Sequence, residues 1–161
     1  MSVGAGNKII ASDIPLENYP VGRMVQAAAQ SIPDATATAL TWTAEDFDTH
    51  GFHDNVTNNS RITVISNPGY YEFSGTYYSS TPTTLANIDA FFRKNGTGSI
   101  TSGDRGNEGG IAQSKSARCM QPMNVNDYIE LMGQQDSAGA VNTNVSSRFT
   151  SFVEWKYLRP L

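Results

Sequence analysis

The chain has 161 residues, of which 39% are hydrophobic and 16% charged, with a formal net charge of −4. That is one domain of sequence with enough apolar content to bury a core, which excludes a disordered chain. The eleven basic residues are scattered, Arg93-Lys94 being the densest pair, so there is no footprint for nucleic acid, and a single cysteine, Cys119, excludes both an internal disulfide and a cysteine-based zinc site.

No apolar run approaches the roughly 18 residues of a membrane helix. The start, Met1-Ser2-Val3-Gly4-Ala5-Gly6-Asn7-Lys8, lacks the basic-then-apolar order of a secretory signal. The expectation is a protein made in the cytoplasm without membrane insertion, reaching the outside only as part of something larger. Residues 1–22 form an irregular lead with Pro15, Pro20 and isolated apolar anchors at Ile9, Ile10, Ile14 and Leu16. Such a lead either packs on its own domain or docks on a partner, and Ser12-Asp13-Ile14-Pro15 has the residues to cap one helical turn.

From residue 23 onward the pattern is that of strands. Met24–Ile32 alternates small apolar with polar residues, with a helix over Val25–Ala29 as the alternative because alanine is the best helix former. Ala35–Thr43 alternates next, with Leu40 and Trp42 on one face. Residues 45–59 read as a long polar connection. Strands are then expected at Arg61–Ile65, Tyr70–Tyr78, Ile88–Lys94, Ser114–Met120, Asp127–Gln134 and Ser147–Leu158, where aromatic and branched residues alternate beside turn-forming Gly, Asn or Asp. Loops are expected at 95–110, which is glycine-rich, and at 136–144. Eight or so strands at this spacing predict an all-β, antiparallel sandwich or jelly roll over residues 23–161, preceded by the 1–22 arm.

Four segments carry a resemblance. Pro68-Gly69-Tyr70-Tyr71-Glu72-Phe73 resembles the glycine-x-tyrosine-x-phenylalanine strand of the complement-q-like and tumour-necrosis-factor-like jelly rolls. Phe92-Arg93-Lys94-Asn95-Gly96 is similar to the hairpin that follows it. Val125-Asn126-Asp127-Tyr128-Ile129-Glu130-Leu131 is similar to the next strand, with Asn126 at a family glycine. The segment 147–158 resembles the closing strand, with Ser151 replacing a glycine. Gln30-Ser31-Ile32-Pro33 and Phe47-Asp48-Thr49-His50-Gly51-Phe52-His53-Asp54 resemble a branch found in bacteriophage virion proteins, many of them minor tail proteins. The resemblance implies a homotrimeric jelly roll, placed on a virion among other phage structural proteins.

Aromatic residues on both faces of the 70–78 and 147–158 segments fit a second burial surface, most simply a partner subunit, although exposed tyrosines are also ordinary on sandwiches. In the closing segment Phe149, Ser151, Val153, Trp155 and Tyr157 share the expected core face, and Phe152 sits on the polar one. The expected core and trimer-contact residues are Tyr70, Tyr71, Phe73, Phe92, Tyr128, Phe149, Phe152 and Trp155. Ile9, Ile10, Ile14 and Leu16 are expected to dock on the virion, and Tyr77, Tyr78, Asn58 and Asn59 to contact a host-surface glycan or protein.

Chemistry has few candidates. His50 and His53 with Asp48 and Asp54 have spacing for a metal, or else the acids hold turn backbone while the histidines pack or cap. Glu45, Asp46 and Asp48 are neighbours on one stretch and are a poor fit to the two opposed carboxylates of a glycoside hydrolase. Gly4-x-Gly6 lacks the flanking strand and helix of a phosphate loop. The expectation is therefore a non-enzymatic, cofactor-free structural protein at the tail tip or fibre. Capsid-surface decoration is the alternative, followed by a free-standing glycan-binding module.

Overall fold

The computed structural model describes residues 19–80, 87–101, 105–107, 112–146 and 148–161. In chain order the strands are β1 (Val21–Val25), β2 (Ser31–Ile32), β3 (Thr38–Ala39), β4 (Ala44–Asp48), β5 (Arg61–Thr63), β6 (Gly69–Ser79), β7 (Asn87–Lys94), β8 (Arg105–Asn107), β9 (Gln113–Met123), β10 (Tyr128–Gln135), β11 (Val141–Asn142), β12 (Val145–Ser146), β13 (Phe149–Thr150) and β14 (Phe152–Pro160). A five-stranded sheet runs β4-β1-β14-β6-β9. A second runs β3-β10-β7-β8, with β5 also pairing β10, and all the strand pairs are antiparallel.

The two-residue period of β6 decides what lies between the sheets. Tyr71, Phe73 and Tyr77 point inward and are fully buried, while Tyr70 and Tyr78 on the other face are half-buried. Tyr71 lies 6.1 Å from Phe73 and Phe73 lies 6.2 Å from Phe92 on β7, so ring contacts cross from one sheet to the other. Trp42, Phe52, Leu131, Val153 and Trp155 are among the other residues of the core. Burial pushes the Tyr77 hydroxyl up to about 12 and the Cys119 thiol, half-buried on β9, up to about 12, so neither ionises near neutrality.

Several expected strands are shorter or broken, for local reasons. Met24–Ile32 divides into β1 and β2, with no helix over Val25–Ala29. Gln26 turns inward, its side-chain amide bonding the Gln30 side chain at 3.1 Å and the Thr41 carbonyl while its backbone amide still donates to the Ser151 carbonyl at 3.1 Å. Ala35–Thr43 keeps only β3. Ala35 has φ 51°, and the Thr41 amide donates to the Gln30 side chain at 2.9 Å rather than to a ladder. The polar connection 45–59 begins as strand β4. The 95–110 loop contains β8, paired with β7, and 136–144 contains β11, paired with β2. β1 begins at Val21, so the end of the expected 1–22 arm is already strand. Ile9, Ile10, Ile14 and Leu16 lie outside the described residues.

The closing segment breaks at Ser151, whose buried hydroxyl accepts a hydrogen bond from the Tyr78 amide at 3.0 Å. Phe149 therefore belongs to a separate hairpin with β12 and is 48% exposed, against the expectation of a core position, while Val153 and Trp155 occupy the core as expected.

Tight turns close the end where β7 meets β10. Asn95 (φ 51°) and Gly96 (φ 69°) form a two-residue hairpin turn in the left-handed region, and Asn126 (φ 72°) adopts the conformation that a glycine would take there. Asp127 ties these turns together. It accepts hydrogen bonds from the Asn95 side chain at 2.7 Å and the Asn124 amide at 2.8 Å, and pairs with Lys94 at 2.9 Å.

Two predictions follow from this packing. A Cβ on Gly22 would lie 2.1 Å from the Trp155 ring. Trp155→Ala is expected to cost about 3–5 kcal/mol, Gly22→Ala about 1–3 kcal/mol, and Gly22→Ala in the Trp155→Ala background close to nothing. Urea unfolding of the four proteins completes the cycle, and additive costs would overturn the contact. For Asp127, burial works to raise the carboxyl, but Lys94 and the Asn124 and Asn95 donors outweigh it and hold it at about 2. A group depressed in the folded state adds stability above its unfolded value, near ~3.9. Stability is therefore expected to fall as pH drops from about 4 toward 2, and Asp127→Asn is expected to flatten that part of the pH–stability curve.

Candidate functional site

The sequence-singled residues fall in three places. Tyr71, Phe73, Phe92 and Trp155 are core. Tyr77 is fully buried, which corrects its expected role as a surface contact: it is on the inward face of β6, and its loop-like neighbours Ser79 and Ser80 follow it rather than surround it. Tyr78 stands 5.9 Å from Phe149 near the end of β6. Asn58 and Asn59 lie in the β4–β5 connection, where the Asn58 carbonyl accepts the Arg61 amide at 2.9 Å and the Asn59 carbonyl accepts the Trp42 amide at 2.8 Å. With Tyr77 buried, the expected Tyr-and-Asn contact surface does not include all four residues.

The His/Asp loop is built around one carboxylate. Asp48 Oδ1 accepts the amides of His50 and Gly51, both at 3.0 Å, and Oδ2 accepts the amide of His53 at 2.9 Å. Asp54 Oδ1 accepts the amides of Val56 (2.8 Å) and Thr57 (3.0 Å), and these bonds hold its carboxyl below the usual range. The His53 side chain is buried, with Nδ1 2.9 Å from Glu45 Oε1 and Nε2 3.2 Å from the Asn59 carbonyl. His50 Nδ1 meets the Thr49 hydroxyl at 2.9 Å. These groups organise backbone. Among the described residues no three of the His, Cys, Asp and Glu side chains converge as a metal site.

The outward face of the five-stranded sheet combines rings with charges. Phe47 on β4 is 48% exposed and Met120 on β9 61% exposed. Between them Phe152 carries the Arg23 guanidinium 5.0 Å above its ring, and Tyr70 carries Arg159 at 4.0 Å. Arg23 also pairs with Asp46 at 2.7 Å. Glu72 lies between Lys156 (3.3 Å) and Arg118. Its slight burial works to raise it, but these two donors hold it below the usual carboxylate range. A shallow groove of about 350 Å3 crosses this face, lined by Val21, Phe47, Glu72, Glu154 and Lys156. Tyr128 is on the other sheet, under the Arg61 guanidinium at 4.0 Å.

The backbone of the two sheets aligns with those of solved proteins of this architecture. Murine APRIL aligns with a TM-score of 0.63 at 12% identity, covering 87% of this chain and 99% of that one. The fold is a TNF-like, complement-q-like jelly roll. The globular domain of zebrafish complement 1qA aligns with a TM-score of 0.59 at 11% identity over 86% of this chain and 96% of its own. Eiger TNF from S. frugiperda aligns at 0.60 and 9% identity, over 89% and 93%. No protein-family description and no curated protein matches the sequence. The sequence motifs are visible in this jelly roll as working parts: Gly69 to Phe73 starts strand β6, Asn95-Gly96 makes the hairpin turn, and Asn126 takes the glycine-like conformation.

The β4–β5 connection supplies a test of the Asp48 anchor. Asp48→Ala leaves three amides without acceptors, and is expected to speed hydrogen exchange at His50, Gly51 and His53 while leaving the β6 amides protected. Equal protection in variant and parent would show that the carboxylate does not hold the loop.

Proposed function

We propose that this chain is a homotrimeric, non-enzymatic structural protein of a bacteriophage particle, carried at the tail tip or fibre. Residues preceding β1 dock it to other phage structural proteins, and its loops meet the host surface. The observation that carries the self-association is the outward face of the five-stranded sheet, where Phe47, Phe152, Tyr70 and Met120 stand among paired charges. A solvated sheet face needs no exposed phenylalanine, and aromatic residues rimmed by arginine are what a partner subunit covers. The jelly-roll fold supports the same reading. The phage placement rests on the resemblance of Gln30–Pro33 and Phe47–Asp54. In the fold both segments set backbone: Gln30 gathers the Thr41 amide and the Ala39 carbonyl, and Asp48 anchors its loop.

Light scattering of the purified chain is expected to give a mass three times its 17.4 kDa. Phe47→Lys with Met120→Lys is expected to lower that mass toward one chain without changing the circular dichroism. A persistent monomer at all concentrations would overturn the trimer. Deleting residues 1–18, which spares β1, is expected to remove the protein from purified particles while the trimer persists. Full copy number after the deletion would overturn docking through that segment.

A further inference from the structure

A second recess lies away from the proposed trimer face. It is about 210 Å3 and opens where the β4–β5 connection meets β5, a strand at the open edge of the second sheet. Asp54, Thr57, Asn58, Arg61, Thr63 and Ile65 line it. The Phe52 carbonyl accepts the Thr63 amide at 2.7 Å, and the Asn58 carbonyl accepts the Arg61 amide at 2.9 Å, so its two walls are fixed to each other by backbone.

The recess is supplied with hydrogen-bonding groups that the fold does not use. Asp54 spends Oδ1 on the Val56 and Thr57 amides and keeps Oδ2 for something else. Among the described residues, the Thr57 and Thr63 hydroxyls and the Asn58 side-chain amide have no partner. The Arg61 guanidinium is immobilised over the Tyr128 ring at 4.0 Å and lies 3.6 Å from Glu130 through Nε, which leaves its terminal nitrogens as oriented donors. Ile65, 53% exposed, adds an apolar wall. Donors, acceptors and one apolar surface within a few ångströms suit a molecule that alternates hydroxyl groups with C–H faces. The volume is below the ~300 Å3 at which pockets enclose drug-sized ligands, and it suits a single ring. The free Asp54 carboxylate oxygen accepts hydroxyl hydrogens, and with the Arg61 guanidinium also lining the recess the two opposite charges leave no net charge to select an anionic ligand.

We propose that this recess binds one sugar ring of a neutral glycan, with Asp54, Asn58 and Thr63 taking the ring hydroxyls and Ile65 its C–H face. The inference names the ligand class for the host contact of the reading above and rests on that reading only for its biological use. It is tested on the isolated chain, so its failure and the failure of the phage assignment are distinct results. A single shallow site holds a monosaccharide weakly. Three sites on one trimer, with the sheet faces buried and the recesses open, would bind a glycan-covered surface by avidity.

Saturation-transfer NMR on the full chain, with methyl glucoside, methyl galactoside and N-acetylglucosamine as millimolar probes, is expected to give transfer to at least one of the three. Asn58→Gly keeps the left-handed backbone at that position, φ 54°, and Thr63→Val keeps the side-chain shape. Together they are expected to weaken binding about tenfold or more, with an unchanged melting temperature. If the pair unfolds the protein, Asp54→Asn, which retains the acceptor for Val56 and Thr57, serves instead and is expected to weaken binding in the same direction. Absence of transfer to all three probes overturns the proposal, as does equal transfer to parent and variants.

Discussion

Everything in this fold depends on what β6 places between the sheets. Its inward residues are Tyr71, Phe73, Gly75 and Tyr77, and they set the spacing at which β10 and β7 approach from the other side. Large flat rings bury much area with few rotatable bonds, so one strand can define a core at modest entropic cost. The rings then impose the other requirements. Trp155, on the neighbouring β14, lies against Gly22, and only a residue without a Cβ fits beside it. Polar atoms that the rings exclude from water are satisfied where the geometry allows, as with the Tyr71 hydroxyl, which donates to the Asn67 carbonyl at 2.6 Å.

The two faces of the five-stranded sheet therefore obey different rules. The inner face is selected for shape. The outer one carries Arg23 over Phe152 and Arg159 over Tyr70, an arrangement in which aromatic area stays soluble because a cation covers it. Such a face tolerates water, and in the proposed trimer it would give up little when a partner replaces that water. The edge of the same sheet is protected by another device. β4 presents Glu45, Asp46 and Asp48 along its length, and carboxylates on an edge strand oppose the open-ended pairing that a bare edge invites.

Much of this was legible in the sequence. The alternation in Tyr70–Tyr78 and Ile88–Lys94 predicted strands within a residue of their observed limits, because both strands have one buried face. Asn95-Gly96 announced its hairpin, since few residues other than Asn and Gly accept two successive positive φ values. The failures share a cause. Between Gln26 and Thr43 the backbone is organised by the Gln30 side chain, which binds residues near and distant in sequence, and no periodic pattern records that. Phe149 was misplaced because Ser151 interrupts the strand through a single hydroxyl. The Asp48 anchor was readable as turn chemistry, whereas the recess at Asp54–Ile65 was not. It arises from the docking of the β4–β5 connection against β5, two segments whose contact only the fold reveals.

The register of the first sheet has a consequence for how the protein is made. β1 lies between β4 and β14, with Val21 opposite Lys156 and Val25 opposite Phe152, so the earliest strand waits for the latest one. A ribosome releases residues at about 5–20 per second, and during that interval the inner strips of β1 and β6 have no completed sheet to join. Closure of the sandwich thus waits until β14 has been made, and pairing of distant strands makes it a slow step. The proposed association of subunits through this same sheet would follow the closure of each sandwich.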